Sequence, residues 1–429
     1  MVVATSGCGK KPKPVTDSVM QKPTPRAAVK LNVVVVGDEK LAAGVNLLRG
    51  EWAERSGGEI SLRQMKTEEF LAADKISADL VIYPSRYVGT LVARDWVRPI
   101  RDSLLSESDF NFGDLMPLVR NRSIRYGEKY YALTLGEPPL MLACPQDSVP
   151  ENGGFQWQDI QSPLHVGVFP TPSWELLVRT VSYVSLRSDS AVLFDSHTME
   201  PRLGVPPFER ALSEMLTVYR TDNSVGSQDS IRIEWPTRHS YVAYGKKPPT
   251  FDFLPMPQAD EVYHASREVW ETNDAEQPTT MLGFAGRSVS VLRASRNSAS
   301  AFKLLLWLTS GDTAIQLSQR SEGTIWWRTS QVARAQNWLA GQNVGEGTAV
   351  AVTQTLSAEN CFLLPRIPGI DEYLLTLDQE IEQATTSEST AAEVLAAVST
   401  KWQVITEQLG VEQQRQAYRR HLGFADFAE

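Results

Sequence analysis

The polar residues of this chain that could hold a small molecule stand at the ends of short apolar runs. Residues 78–100 read ADLVIYPSRYVGTLVARDWVRPI, and the run Asp79-Leu80-Val81-Ile82-Tyr83 closes on Pro84-Ser85-Arg86. Such a run is the pattern of a strand covered on both faces, as in a parallel sheet. Ligands of open α/β sheets bind outside the carboxyl ends of the strands. Tyr83, Ser85 and Arg86 are therefore candidate binding groups. Asp38 and Glu39 close the run Leu31–Val36 in the same way. Glu137 lies in Gly136-Glu137-Pro138-Pro139, where a helix does not form, which points to a positioned side chain. Gly283, Gly286 and Arg287 have the character of a loop where backbone approaches closely, although the turn glycines of a plain hairpin would look the same. For Asp38, Glu39, Arg86 and Glu137 the alternative is a solvated loop position, and for Tyr83 it is core packing.

Signatures of catalysis are absent. The chain has no G-x-S-x-G, no H-E-x-x-H and no G-x-x-x-x-G-K. His165, His197, His239, His264 and His421 lack ligand spacing, so neither a metal nor a cofactor is expected. The expectation is a protein that is not an enzyme. Carboxylates are numerous, and a pair working as in a glycosidase stays open.

The elements that must carry these groups follow from periodicity. Leu31–Asp38 reads as a first strand, Leu41–Arg55 as a helix ended by Gly57-Gly58, and Ile60–Met65 as an alternating second strand. Thr67–Phe70 opens another helix, and the run before Arg86 is the third strand. This β-α-β-α-β order implies right-handed crossovers in a parallel sheet. Arg125–Leu135 reads as a hairpin and Leu140–Cys144 as a further strand. A second unit begins near 150, with a strand at His165–Pro170, helices at Thr171–Tyr183 and Phe208–Tyr219, and strands at Val242–Tyr244 and Phe251–Pro255. Met281–Leu292 is a glycine-interrupted strand pair, and Ser298–Ser310 is a strong helix. Gly323–Arg328 is an aromatic loop, and Tyr373–Leu422 is helical. Two adjacent tryptophans cannot both face one core, so Trp326 or Trp327 should be exposed or turned to a ligand. Trp174 and Trp235 are weighed between core and site.

The chain has 429 residues, is 42% hydrophobic and carries a net charge of -9. That suits two or three domains with real cores and no nucleic-acid partner. No stretch approaches the roughly 20 apolar residues of a membrane-spanning helix. Of the cysteines, Cys144 and Cys361 are a pair or two buried thiols. Cys8 sits in Ala4-Thr5-Ser6-Gly7-Cys8-Gly9-Lys10-Lys11, which looks like the end of a lipoprotein signal. Cleavage before Cys8 would let its thiol carry a lipid anchor. Only seven residues precede it and Thr5 stands where Leu or Val is usual, so a start upstream of Met1 is one explanation. A free cysteine in a tail is the alternative. Residues 9–30, rich in Lys, Pro, Thr and Ser, read as a tether.

The order of these pieces resembles the extracellular solute-binding proteins of ABC importers, family 1, in the group that includes sugar binders, here in lipoprotein form. The resemblance spans about 31–422. It is carried by the Val33–Gly37 strand with its helix, by Ala78–Ile82 with Trp96–Ile100, and by Gly127–Thr134, similar to a G-x-x-Y-x-x-P hairpin with Thr134 in place of Pro. Pro207–Leu212 and Ser295–Phe302 leading into Leu306–Ser310 complete it, the last similar to an S-K-N-x-x-x-A-x-x-F-L-x-W-L helix. The resemblance implies an α/β fold of the periplasmic-binding-protein type II kind, two α/β lobes with mixed sheets joined by a crossing hinge. Residues 1–30 would be the lipidated N-terminus and tether, 31–145 the first part of lobe 1, 146–300 mainly lobe 2, and 301–429 a helical return onto both. It further implies a monomer that closes on a solute, an ABC permease as partner, an extracytoplasmic location and no catalysis. A sugar would be held by aromatic faces and by charged groups, hence by Asp38, Glu39, Tyr83, Ser85, Arg86, Glu137, Trp174, Trp235, Gly286, Arg287, Trp326 and Trp327. The double tryptophan replaces the Pro-x-Arg often seen in the family. A surface sensor or adaptor with the same fold is the further alternative.

Overall fold

A computed structural model describes residues 1, 29–107, 110–150, 154–160, 164, 171–184, 191–221, 231–237, 250–275 and 278–425. Cys8, the tether over 9–28 and the strands expected at His165–Pro170 and Val242–Tyr244 lie outside the described residues.

The chain opens with β1 (Lys30–Val36), α1 (Glu39–Leu47), α2 (Arg49–Ser56), β2 (Glu59–Met65), α3 (Thr67–Ala72), β3 (Leu80–Pro84) and α4 (Val88–Ala93). The single helix expected over Leu41–Arg55 is two, meeting at Leu48, and Gly57 ends the second with a left-handed φ of 67°. After α5 (Asp102–Leu105) come the short hairpin β4 (Arg125–Tyr126) and β5 (Lys129–Tyr130), then β6 (Leu133–Thr134) and β7 (Met141–Pro145). Next are α6 (Pro172–Ser182), α7 (Pro206–Thr221), β8 (Arg232–Glu234), β9 (Phe251–Leu254), and the hairpin β10 (Glu261–His264) and β11 (Val269–Thr272). β12 (Thr280–Leu282), β13 (Arg287–Val291), α8 (Ser298–Leu308), α9 (Gly311–Ser318), α10 (Gln336–Leu339), α11 (Thr348–Leu356) and β14 (Cys361–Leu363) follow. The chain closes with α12 (Ile370–Thr385), α13 (Ala391–Leu409) and α14 (Val411–Leu422).

The first lobe is built on a five-stranded sheet in the order β2-β1-β3-β13-β6. β1 pairs with β2 and β3 in parallel, while β13 runs antiparallel to β3 and β6. Both faces are covered, which is why the strands read as continuous apolar runs. Val33, Val35, Leu80 and Ile82 join one core with α1, α8 and α9, and Val34, Val36, Val81 and Tyr83 join another with Phe70, Val88 and Leu91. Each such side chain contributes about 1.5–3 kcal/mol on burial.

The second lobe packs α6, α7, α12 and α13 against the sheet β8-β7-β9. β7 serves both lobes because side chains alternate along it: Met141 and Ala143 enter the first core and Leu142 the second, with Leu140, just before the strand, also in the second. The parallel pair β12 and β14 does the same, with Leu282, Cys361 and Leu363 on one side and Met281 and Phe362 on the other. These crossings join the lobes. α14 returns to the first lobe, where Tyr126 Oη donates to Ala417 O at 2.9 Å.

Two local expectations change. Met281–Leu292 is not a strand pair: β12 pairs with β14, and β13 leaves for the first sheet although it falls within 146–300. Arg125–Leu135 splits likewise, because β6 joins the first sheet instead of the hairpin. Cys144 and Cys361 are two buried free thiols, and burial pushes Cys144 up to about 11.

Candidate functional site

The carboxyl ends of β1 and β3 and the start of β13 lie side by side in the sheet, which brings Asp38, Ser85, Arg86 and Arg287 together. Asp38 caps α1, accepting from Leu41 N at 2.9 Å. Its second oxygen accepts from Arg287 Nε at 3.0 Å and from the Ser321 hydroxyl. The Arg287 guanidinium lies on Gly323, where a Cβ would stand 2.7 Å from Nη1. Burial lowers its pKa, with Asp38 opposing. Glu39 is exposed in the first turn of α1, where a carboxylate suits the helix dipole.

Arg86 reaches the other lobe. Its Nε donates to Asp371 Oδ1 at 2.9 Å on α12, and the Tyr87 hydroxyl donates to the other oxygen of that carboxylate. The Arg86 guanidinium lies 4.6 Å from the Tyr87 ring centroid. Both members of the ion pair keep solvent contact, so it holds the lobes weakly, about 0–1 kcal/mol.

The second lobe carries a cluster of aromatic rings. Trp174, on α6, meets Phe284 edge-on at 4.9 Å and Trp235 at 6.2 Å between centroids. Trp174 and Trp235 are half-buried. Trp235 Nε1 donates to Glu322 O at 2.7 Å, and Thr237 Oγ1 lies 2.9 Å from both Glu322 O and Thr324 O. The 321–324 loop thus touches Asp38 and Arg287 on one side and Trp235 on the other. Its Glu322 carboxylate pairs with Lys40.

Several expected site residues sit elsewhere. Tyr83 has no exposed surface; it stacks on Phe70 at 6.3 Å, and its hydroxyl meets Ser290 Oγ at 2.8 Å. Strand alternation turns its side chain into the core under α3 and α4. The expectation that Trp326 or Trp327 is exposed fails: they are 0% and 1% exposed. Both sides of this extended segment are covered. Trp326 meets Trp338 and donates to Thr353 Oγ1 at 3.2 Å, while Trp327 O accepts from Met116 N at 3.0 Å. Glu137 is 1% exposed and lies in the segment between β6 and β7. Gly286, at φ +114°, is the close approach expected of it, because a Cβ there would stand 2.5 Å from Glu137 Oε2.

Sequence reasoning missed Tyr87, Phe284, Ser321, Glu322 and Asp371. Ser321 and Glu322 directly precede Gly323, where the expected aromatic loop begins, so that glycine was the available signal. Nothing in the local sequence marks Asp371, which reaches Arg86 across 285 residues.

No protein-family model matches the chain, and no curated protein matches it in sequence. Solved structures do. The sugar-binding protein MalE of Xanthomonas citri matches at a TM-score of 0.67 and 12% identity, over 90% of this chain and 100% of that one. A cyclo/maltodextrin-binding protein complexed with maltotetraose matches at 0.65 and 14%, over 90% and 100%. An ABC-transporter solute-binding protein of Agrobacterium radiobacter in complex with ribitol matches at 0.63 and 13%, over 88% and 98%. All three are binding proteins. With two α/β lobes, a mixed first sheet and strands that cross between the cores, the chain has the fold of the ABC-transporter solute-binding proteins.

Proposed function

We propose that the protein is an extracytoplasmic solute-binding protein that captures a sugar or oligosaccharide between its lobes and delivers it to an ABC permease. One observation carries this reading. The half-buried rings of Trp174 and Trp235 are joined to the polar pair Asp38 and Arg287 through the 321–324 loop, where Trp235 Nε1 donates to Glu322 O and the Ser321 hydroxyl donates to Asp38. Aromatic faces suit the C–H surface of a sugar ring, and paired charges offer both donors and acceptors to its hydroxyls. Glu39, Ser85 and Gly286 shape the rim and floor of the same cleft. Cys8 would carry the lipid anchor, and the protein acts as a monomer without catalysis.

A thermal-shift screen of mono- and oligosaccharides tests the reading. A bound solute stabilises by RT ln(1 + [L]/Kd), about 2.7 kcal/mol at a hundredfold excess over Kd. For a solute so identified, Trp174→Ala and Trp235→Ala should each weaken binding by about tenfold, read by calorimetry. A flat response across the saccharides, or turnover of any glycoside, would remove the assignment. Anchoring has its own check: Cys8→Ser should move the protein from the membrane to the soluble fraction.

A further inference from the structure

The two crossings between the lobes meet at one carboxyl group. Glu137 lies between β6 and β7, and its Oε1 accepts from Ser85 Oγ at 3.0 Å and from Gly283 N at 3.1 Å. The Ser85 hydroxyl has a second acceptor in reach, Ala285 O at 3.2 Å. A hydroxyl holds one hydrogen, so beside an ionised carboxylate it serves one acceptor at a time. With a protonated carboxyl the bonds run in series: Glu137 donates to Ser85 Oγ, and Ser85 donates on to Ala285 O. Gly283 N–H still has a lone pair to meet. Protonation therefore adds a bond between the turn that carries Arg86 and the loop that carries Arg287, and it removes a buried charge.

We propose that Glu137 is a positioning residue of the cleft, whose protonated carboxyl clasps the Ser85–Arg86 turn to the Gly283–Arg287 loop and whose ionisation loosens them. Two of the arginines around it are paired with other carboxylates, Arg287 with Asp38 and Arg86 with Asp371. Arg366, after β14, donates its two Nη groups to Ser123 O and Arg125 O. Arg122 and His421 lie beyond it; burial and these arginines hold His421 well below the usual imidazole range, so it stays neutral as Glu137 titrates. Burial likewise keeps the Tyr83 phenol protonated.

Burial raises Glu137 from 4.5 to about 7, against the opposing pull of Ser85, Arg366, Gly283 and Arg287. A clasped form with the higher pKa is favoured at low pH and loses ground as pH rises through about 7. Between pH 6 and pH 8 the equilibrium for opening these loops should rise about tenfold.

The consequence for capture rests on the solute-binding reading; the clasp itself does not. Amide hydrogen exchange on the solute-free full chain at pH 6 and pH 8, corrected for intrinsic chemical exchange, tests it at residues 85–87 and 283–287. In the wild type, opening should increase about tenfold across that interval. Glu137→Gln should give the same opening at both pH values, because an amide in this place has no proton to lose between them. Ser85→Ala should be open at both. A flat wild-type profile, or a Glu137→Gln profile that rises like the wild type, overturns the proposal. Neither outcome depends on whether any saccharide binds.

Discussion

Replacing Trp326 by alanine should lower the unfolding free energy by about 3–5 kcal/mol and leave the solute affinity of the folded protein unchanged. The ring is wholly buried, meets Trp338 edge-on at 6.1 Å, and donates to Thr353. Truncation removes its transfer free energy and leaves a cavity that α10 and α11 close only in part. Thr353 Oγ1 also donates to Ala349 O at 2.7 Å, so the hydroxyl keeps a partner and the loss comes mainly from packing. Urea unfolding with and without a saturating saccharide separates the two effects. A variant of wild-type stability that had lost its solute would put the ring in the cleft and break this assignment.

The second large effect lies in the other lobe. Arg179→Met should cost about 3–5 kcal/mol, and the double variant Arg179→Met, Glu175→Gln should recover a substantial part of it. Arg179 and Glu175 are 2% and 1% exposed and are joined at 2.8 Å, one turn apart on α6. The guanidinium also lies over Trp157 at 4.5 Å. Glu175 accepts from Leu164 N at 3.1 Å and from Tyr219 Oη at 3.0 Å, which are dipoles and do not replace a cation. Removing the arginine alone leaves a buried charge without its counter-charge, whereas removing both charges does not. Denaturant unfolding of the two singles and the double completes the cycle. Additive losses would mean that the pair contributes packing and not charge compensation.

These two sites differ in how far local sequence discloses them. Glu175 and Arg179 stand four apart on a helix, and that spacing places them on one face before any tertiary contact exists. The first lobe was legible in the same way. Three apolar runs alternating with amphipathic helices imply a parallel sheet, and the sheet rule then sends Asp38, Ser85 and Arg86 to one edge. Trp326 and Trp327 were not legible, because whether an extended segment is covered on one side or on both depends on Met116, Trp338 and Thr353, which are distant in the chain. Tyr83 fails for a related reason. A residue near a strand's end points to the core or to the rim according to the phase of the alternation, and that phase is set by what packs on each face.

The sequence by itself determined the three strands that open the first lobe, their alternation with helices, their parallel sense and the strand ends at which a ligand group would be found, since these follow from periodicity and turn chemistry within short windows. Only the tertiary structure decided that β13 enters that sheet antiparallel, that β12 and β14 pair as a crossing, and that the 321–324 loop meets both Arg287 and Trp235. It also decided that Glu137 is buried against Ser85 and Gly283. Those outcomes rest on contacts between segments tens to hundreds of residues apart, whose stability comes from mutual burial and has no local signature.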